Sequence, residues 1–190
     1  MSTAPREPTS ARLRNFTRVD FDKMIDAGVI GEDERVELVG GAIVQMSPEG
    51  PQHAGTIEIC AEALRRAFGA GFTVRVQHPL VVDPDDEPQP DLAVVPGSPR
   101  AHLAAHPTHA PLVVEVSQTS LAYDRREKAL VYARAGMPDY WIVNLTDRVV
   151  EVHRLPSAHG YGSVSSFGPD EAIAPLAAPA ASLLVASLLP

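Results

Sequence analysis

Cysteine is nearly absent from this chain. Its 190 residues hold one, Cys60, so no disulfide can form within it, and a reducing cytoplasm is the expected compartment. Long apolar runs are missing too. None approaches the ~20 residues that span a bilayer, and the opening MSTAPREPTSARLRNF lacks the apolar stretch of a signal peptide. The expectation is a soluble cytoplasmic protein with no membrane association. Positive charge is in short supply: the net charge is −8, awkward for a nucleic-acid binder, because phosphate contacts need a basic surface. Lysine is the scarcest cation, with Lys23 and Lys128 set against fourteen arginines. In so arginine-biased a chain, a lysine suggests work suited to a compact ammonium with a shiftable pKa.

What is present is ordinary for a globular protein: 45% hydrophobic and 21% charged residues, enough for one domain with a proper core. Residues 1–15, rich in Pro, Ser and Thr, read as a disordered arm. Residues 16–190 read as a single domain, with a core over 35–155 and a C-terminal extension over 156–190. TRVDFDKMIDAG predicts a short helix capped by Thr17 or Asp20 and stopped at Gly28. RVELVGGAIVQMSP predicts a hairpin turning at Gly40-Gly41, since glycine permits positive φ. HAGTIEICAEALRRAFGAG predicts a long helix with Ile57, Cys60, Ala61, Leu64 and Phe68 on its apolar face. FTVRVQHPLVVD and DLAVV predict strands, and residues 96–110 a loop with at most one helical turn. A helix follows from about Ser120 to Ala135, then two strands joined by a turn at Thr146-Asp147 in DYWIVNLTDRVVEVHRL. After Pro156 the composition thins to Ala, Ser, Pro and Gly, which predicts loop and a short strand or two. The mixed order of elements predicts an α/β (α+β) fold with a central mixed β-sheet flanked by helices.

The stretch PLVVEVSQTS raises the chemical question. Leu112 to Val116 look like a strand covered on both faces, except that Glu115 interrupts them. An unpaired carboxylate there costs several kcal/mol, so it must be paired, protonated or bound to a cation. Asp91 opens its own strand after Pro90, 24 residues earlier, and two strands joined by such a loop can be neighbours. Two or three hard oxygen ligands that leave water positions open suit Mg²⁺. On the following helix, Asp124, Lys128 and Tyr132 are spaced i, i+4, i+8 and share roughly one face.

QPDLAVV, VVEVSQTS and DRREKALVYARAGMPDYWIVN, in that order and spacing, resemble the Uma-two-type endonucleases of the PD-(D/E)XK nuclease superfamily, over residues 35 to 155. The family's proline-aspartate is matched by Pro90-Asp91 and its acidic strand residue by Glu115. The superfamily's simplest pattern puts lysine two residues after that glutamate. Here Ser117 stands there, and Lys128 matches the position of a lysine moved to the next helix. Glu37-Leu38 matches an early Glu-Leu and implies an additional metal ligand, and His53 matches a recurrent histidine. The resemblance implies a Mg²⁺- (or Mn²⁺-) dependent nuclease-fold protein hydrolysing DNA phosphodiester bonds, with Asp91, Glu115 and Lys128 catalytic, Asp91, Glu115 and Glu37 on the metal, and a homodimer as the assembly.

Each of these residues also has a plainer reading. Asp91 could be a turn residue after proline, Glu115 a water-facing edge glutamate, and Lys128 a solvated helix lysine paired with Asp124. Glu37 could open an exposed hairpin, and His53 could simply start a helix. His102, His106 and His109 read as surface loop residues, because Pro107 breaks any helix between them. Tyr140 and Trp141 could stack on bases, but an aromatic pair opening a strand more often belongs to core and rim. The alternative to a nuclease is a catalytically silent module of the same fold that binds DNA or a protein partner. An enzyme acting on phosphate further requires that the arginine-rich segments (Arg6, Arg12, Arg14 and Arg18; Arg65 and Arg66; Arg125, Arg126, Lys128 and Arg134) frame the acidic pocket, offsetting the overall negative charge.

Overall fold

The computed structural model describes residues 14–31 and 33–190. Most of the expected N-terminal arm, with Arg6 and Arg12, lies outside these described residues.

The first helix, α1 (Arg18–Asp26), begins at Thr17, whose hydroxyl accepts from the Asp20 amide while the Asp20 carboxylate reaches back to the Thr17 amide. This reciprocal cap fills two backbone donors that a helix start would leave open. Strands β1 (Val36–Val39) and β2 (Ala42–Gln45) pair antiparallel through Gly40 and Gly41, with φ of 61° and 71°. Both values lie in the left-handed region that a two-residue hairpin turn of this kind demands. Helix α2 (Pro51–Phe68) buries Ile57, Cys60, Ala61, Leu64 and Phe68, the five positions the spacing predicts. Burial pushes the Cys60 thiol up to about 12, so it packs as a small apolar group.

Six strands form the main sheet in the order β3-β4-β5-β6-β7-β8. They are β3 (Phe72–Val76), β4 (Leu92–Pro96), β5 (Leu112–Ser117), β6 (Asp139–Asn144), β7 (Val149–Ser157) and β8 (Gly160–Phe167). Only β5 and β6 run parallel, because a helix crosses between them and returns the chain to the same end. Leu92, Val94, Val114, Val116, Trp141 and Val143 face α2 in one core layer. Ala93, Val113, Tyr140 and Ile142 face the crossover helix in the other. Tyr140 and Trp141 are fully buried, so the base-stacking reading is excluded for both. The α+β expectation with a mixed central sheet holds.

The crossover helix α3 spans residues 121–134 and is not uniform. An α-helical turn (Leu121–Tyr123) leads into a π-helical segment (Asp124–Lys128) and back to α-helix (Ala129–Arg134). In a pure α-helix, side chains at i and i+8 drift apart by about 80°. One wider turn takes up part of that drift. Asp124, Lys128 and Tyr132 are all buried on the sheet side.

After Pro156 the structure departs from the expectation. β8 is a full eight-residue strand paired with β7, and the small pair β9 (Ala172–Ile173) and β10 (Leu183–Leu184) follows. Ile173, Val185 and Leu188 join the α2-side core. The segment GYGSVSSF carries no alternation of apolar and polar residues because it is an edge strand whose side chains are mostly exposed, so no periodic signal was available. Asp139, fully buried, ties this end down by accepting from Arg154, Trp141 and the Leu176 amide.

α3 is pinned to the sheet by Arg125, whose guanidinium meets both oxygens of Glu151 at 2.9 and 2.6 Å. Burial works against the Glu151 charge, but the His153 ring 3.8 Å away and hydrogen bonds from Arg125 and Asn144 prevail and hold its pKa down to about 2. A depressed folded pKa contributes stability above the unfolded value near 4.5, lost as pH falls toward 2. Glu151→Gln should therefore cost about 2 kcal/mol at neutral pH, after discounting for solvent at Arg125. The deficit should shrink below pH 4 in urea melts; a pH-independent deficit would show that the clamp is not ionic.

Candidate functional site

The antiparallel register of β4 and β5 pairs Leu92 with Val114, which sets Asp91 opposite Glu115 at the end of the sheet. The Asp91 amide donates to Glu115 Oε2 at 3.2 Å, and the Val116 amide donates to Asp91 Oδ2 at 2.8 Å. Glu115 is 3% exposed and Asp91 6%, so neither is the surface residue of the plainer reading. Lys128 comes down from the π-segment of α3 and places Nζ 3.0 Å from Glu115 Oε1 and 3.2 Å from Glu37 Oε2. Tyr132 donates its hydroxyl to the same Glu115 oxygen at 2.8 Å. Asp124 does not pair with Lys128 in the manner of a solvated helix lysine; its carboxylate accepts from Ser117 and Ser120. Ser117 thus anchors the start of the helix that delivers Lys128.

Glu37 is buried rather than exposed on its hairpin. It accepts from the Gln89 amide at 3.0 Å and faces the Tyr123 hydroxyl at 3.4 Å. His53, in the first turn of α2, donates from Nε2 to the Val116 carbonyl at 2.7 Å, and the same nitrogen lies 3.4 Å from Asp91 Oδ2. That bond fixes the proton on Nε2. Nδ1 is buried without a hydrogen-bond partner, 3.8 Å from Glu49. The structure therefore gathers all five sequence-selected residues, Asp91, Glu115, Lys128, Glu37 and His53, around one cleft of about 290 Å³.

One further cleft residue, Glu49, and one that supports it from behind, Gln77, have no signal in the sequence. Glu49, in the connection before α2, faces His53. Gln77 donates from Nε2 to Glu49 Oε1 at 2.5 Å and to Asp91 Oδ1 at 3.3 Å. Its φ of 51° is left-handed, a costly conformation for a residue that is neither glycine nor asparagine. A strained glutamine holding a buried carboxylate is functional in character, but no spacing rule marks it. Residues 77–90 carry no regular structure that would have set its position.

Charge in the cleft is unbalanced. Glu37, Glu49, Asp91, Glu115 and Asp124 line it against Lys128 and His53. Burial pushes Glu115 up to about 8; Lys128 opposes that rise, while Asp91, Asp124 and Glu37 add to it. Burial also disfavours the Lys128 ammonium, but Glu115, Glu37 and Asp124 outweigh it, so its pKa rises and it stays charged. Such a shortage of positive charge at hard oxygen donors fits a divalent cation. Among the described residues, no three His, Cys, Asp or Glu side chains form a ready-made metal cage. The expected frame of arginines is not built from the predicted segments. Among the described residues no arginine lines the cleft: Arg125 is spent on Glu151, Arg134 reaches the Ala158 carbonyl, and Arg66 pairs with Glu62 along α2.

The sheet is mixed with a helix on each face, and at its strand ends acidic residues meet a lysine. The chain belongs to the Uma2 family, described as "Putative restriction endonuclease", which it matches over residues 18–186. It is also similar in fold to a solved structure described as a "putative nuclease belonging to DUF820" from Anabaena variabilis. The TM-score is 0.70 at 19% identity, covering 91% of this chain and 97% of that one. No curated protein matches. Among the described residues, no helix is long and apolar enough to cross a membrane.

Lys128→Met should cost roughly 3–5 kcal/mol, because it strips the buried carboxylates of their ammonium. Glu115→Gln should cost much less, since Glu37 still pairs Lys128 and the amide oxygen still accepts from Tyr132. Denaturant melts without divalent ions compare the two, and equal losses would refute this ordering.

Proposed function

We propose that this chain is a divalent-metal-dependent endonuclease that hydrolyses DNA phosphodiester bonds, on one domain spanning residues 16–190. Asp91 and Glu115 hold Mg²⁺ or Mn²⁺, with Glu37 assisting. When bound, the ion supplies positive charge against the phosphate and lowers the pKa of coordinated water. Lys128, fixed between Glu37 and Glu115, orients the attacking water or stabilises the charge that develops on the phosphate oxygens. Tyr132 and the Asp91 amide hold the Glu115 carboxylate in place, and Gln77 does the same for Asp91, so the ligands need little rearrangement on binding. His53 braces the Val116 carbonyl at the end of β5 and keeps its second nitrogen toward Glu49. No residue is placed as a covalent nucleophile, so attack by water in a single displacement is the expected course. A cytoplasmic homodimer, with DNA as the partner molecule, completes the reading.

The observation that carries this proposal is the convergence of Asp91, Glu115 and Lys128, from three separate elements, on one buried point short of positive charge. A second reading is a catalytically silent module of the same fold, binding DNA or a protein partner, and the acidic cleft wall favours the protein-binding form. Plasmid nicking separates the two. Wild type should nick only with Mg²⁺ or Mn²⁺, and Glu115→Gln should lose at least 100-fold in rate, about 2.7 kcal/mol, together with calorimetric Mg²⁺ binding. Mg²⁺ binding without nicking of any DNA would leave the silent module.

A further inference from the structure

An anionic substrate must approach a cleft wall that carries five carboxylates, and among the described residues no arginine lines that wall. Arg35 stands just outside. It precedes β1 and lies two residues before Glu37, so in extended chain its side chain emerges on the same face as Glu37, about 7 Å away and nearer the mouth. Its Nη2 meets Glu49 Oε1 at 2.6 Å, and Glu49 belongs to the cleft wall. Among the described residues this is the one hydrogen bond the Arg35 guanidinium makes. The side chain is 46% exposed, against 19% for Glu49. A guanidinium has five donors in a planar fork, and at 46% exposure this one presents part of its fork to solvent, where a ligand can reach it. The Glu49 oxygen that accepts from Arg35 also accepts from Gln77 at 2.5 Å, and Gln77 reaches Asp91. Arg35 is thus linked through two side chains to the carboxylate at the centre of the site.

We infer that Arg35 binds a DNA backbone phosphate at the mouth of the cleft, beside the one to be cleaved, and that Glu49 is its resident counter-ion, displaced when that phosphate arrives. The inference rests on the nuclease reading and adds to it a substrate contact and a competitor for that contact. The carboxylate occupies the place of the phosphate: the planar carboxylate and one edge of the tetrahedral phosphate each present two anionic oxygens that a guanidinium recognises through paired N–H donors. Holding Arg35 on Glu49 keeps the free site from presenting an unpaired cation. Exchange costs little, since one charge-assisted contact replaces another, and Glu49 retains Gln77.

The test is a double-mutant cycle on the full chain, read as affinity for a fluorescein-labelled DNA duplex by anisotropy. Ca²⁺ replaces Mg²⁺ so that binding is measured without turnover. Arg35→Gln should weaken binding about tenfold and lower the slope of log affinity against log salt by about 0.9, the loss of one phosphate contact. Glu49→Gln should tighten binding several-fold, because it frees Arg35. The combination should match Arg35→Gln alone, because Glu49 acts only through Arg35. Arg35→Lys should restore part of the affinity and all of the salt slope. Thermal melts of each variant establish that it is folded before binding is read. If Arg35 merely braces the hairpin, both single variants weaken binding and melt earlier, which overturns the inference. If Glu49→Gln tightens binding equally with Arg35 absent, its effect is general charge and the pairing is refuted. Wild type that binds DNA while all variants match it sinks this inference alone, whereas wild type that binds no DNA under any ion condition overturns the nuclease reading with it.

Discussion

The site depends on one buried ammonium. Lys128 sits between Glu37 and Glu115 with Asp124 close by, and each carboxylate comes from a different element. An ion taken out of water costs several kcal/mol, recovered only by close opposite charge and filled hydrogen bonds. The elements that supply those charges must therefore meet at the depth where Lys128 ends: the hairpin through Glu37, the end of β5 through Glu115, and α3 through its π-segment. Tyr132 and the Gln89 amide fill the remaining bonds on the two glutamates.

That arrangement is also incomplete as an electrostatic object. One ammonium faces more buried carboxylates than it can neutralise, and burial drives Glu115 toward its protonated form. The same physics leaves the site poorly balanced, which is what supports the proposal that it takes up a divalent cation. Strain follows a similar logic. Gln77 takes a left-handed backbone conformation and spends its side chain on Asp91 and Glu49, while the π-segment of α3 trades regular helical geometry for the direction of Lys128. Both departures from local preference occur at the cleft, where surrounding contacts hold them in place.

The outer layer of the cleft follows a different rule from its floor. Deep residues pair to satisfy burial, whereas Arg35 and Glu49 pair at the rim with solvent close by. A rim pair in partial contact with water contributes little to stability, which leaves it available for exchange with a ligand. The arginines that looked suited to guide phosphate, Arg125 and Arg134, serve instead to dock α3 and to contact the neighbouring turn.

Much of this protein could be read from its residues in order. The long apolar face of α2, the Gly40-Gly41 hairpin and the buried β5 strand are local patterns, because a helix or a turn is decided within a few residues. Glu115 announced itself for the same reason: a carboxylate inside Leu-Val-Val-Val has no inexpensive explanation. Asp91 and Lys128 followed from order and spacing, and from a resemblance that tied those spacings together. Tertiary structure alone decided the rest. The register of β4 on β5 set which oxygen meets which amide, and one wide helical turn aimed Lys128. The backbone strain at Gln77 arises only where residues 77–90 fold back on the sheet. β8 stayed hidden, since an edge strand rich in Ser and Gly, with half-buried positions but no fully buried one, leaves no clear period in the sequence. Arg35 was one arginine among fourteen until the fold set it beside Glu49. Charge pairing is a property of distance in space, and no spacing along the chain encodes it.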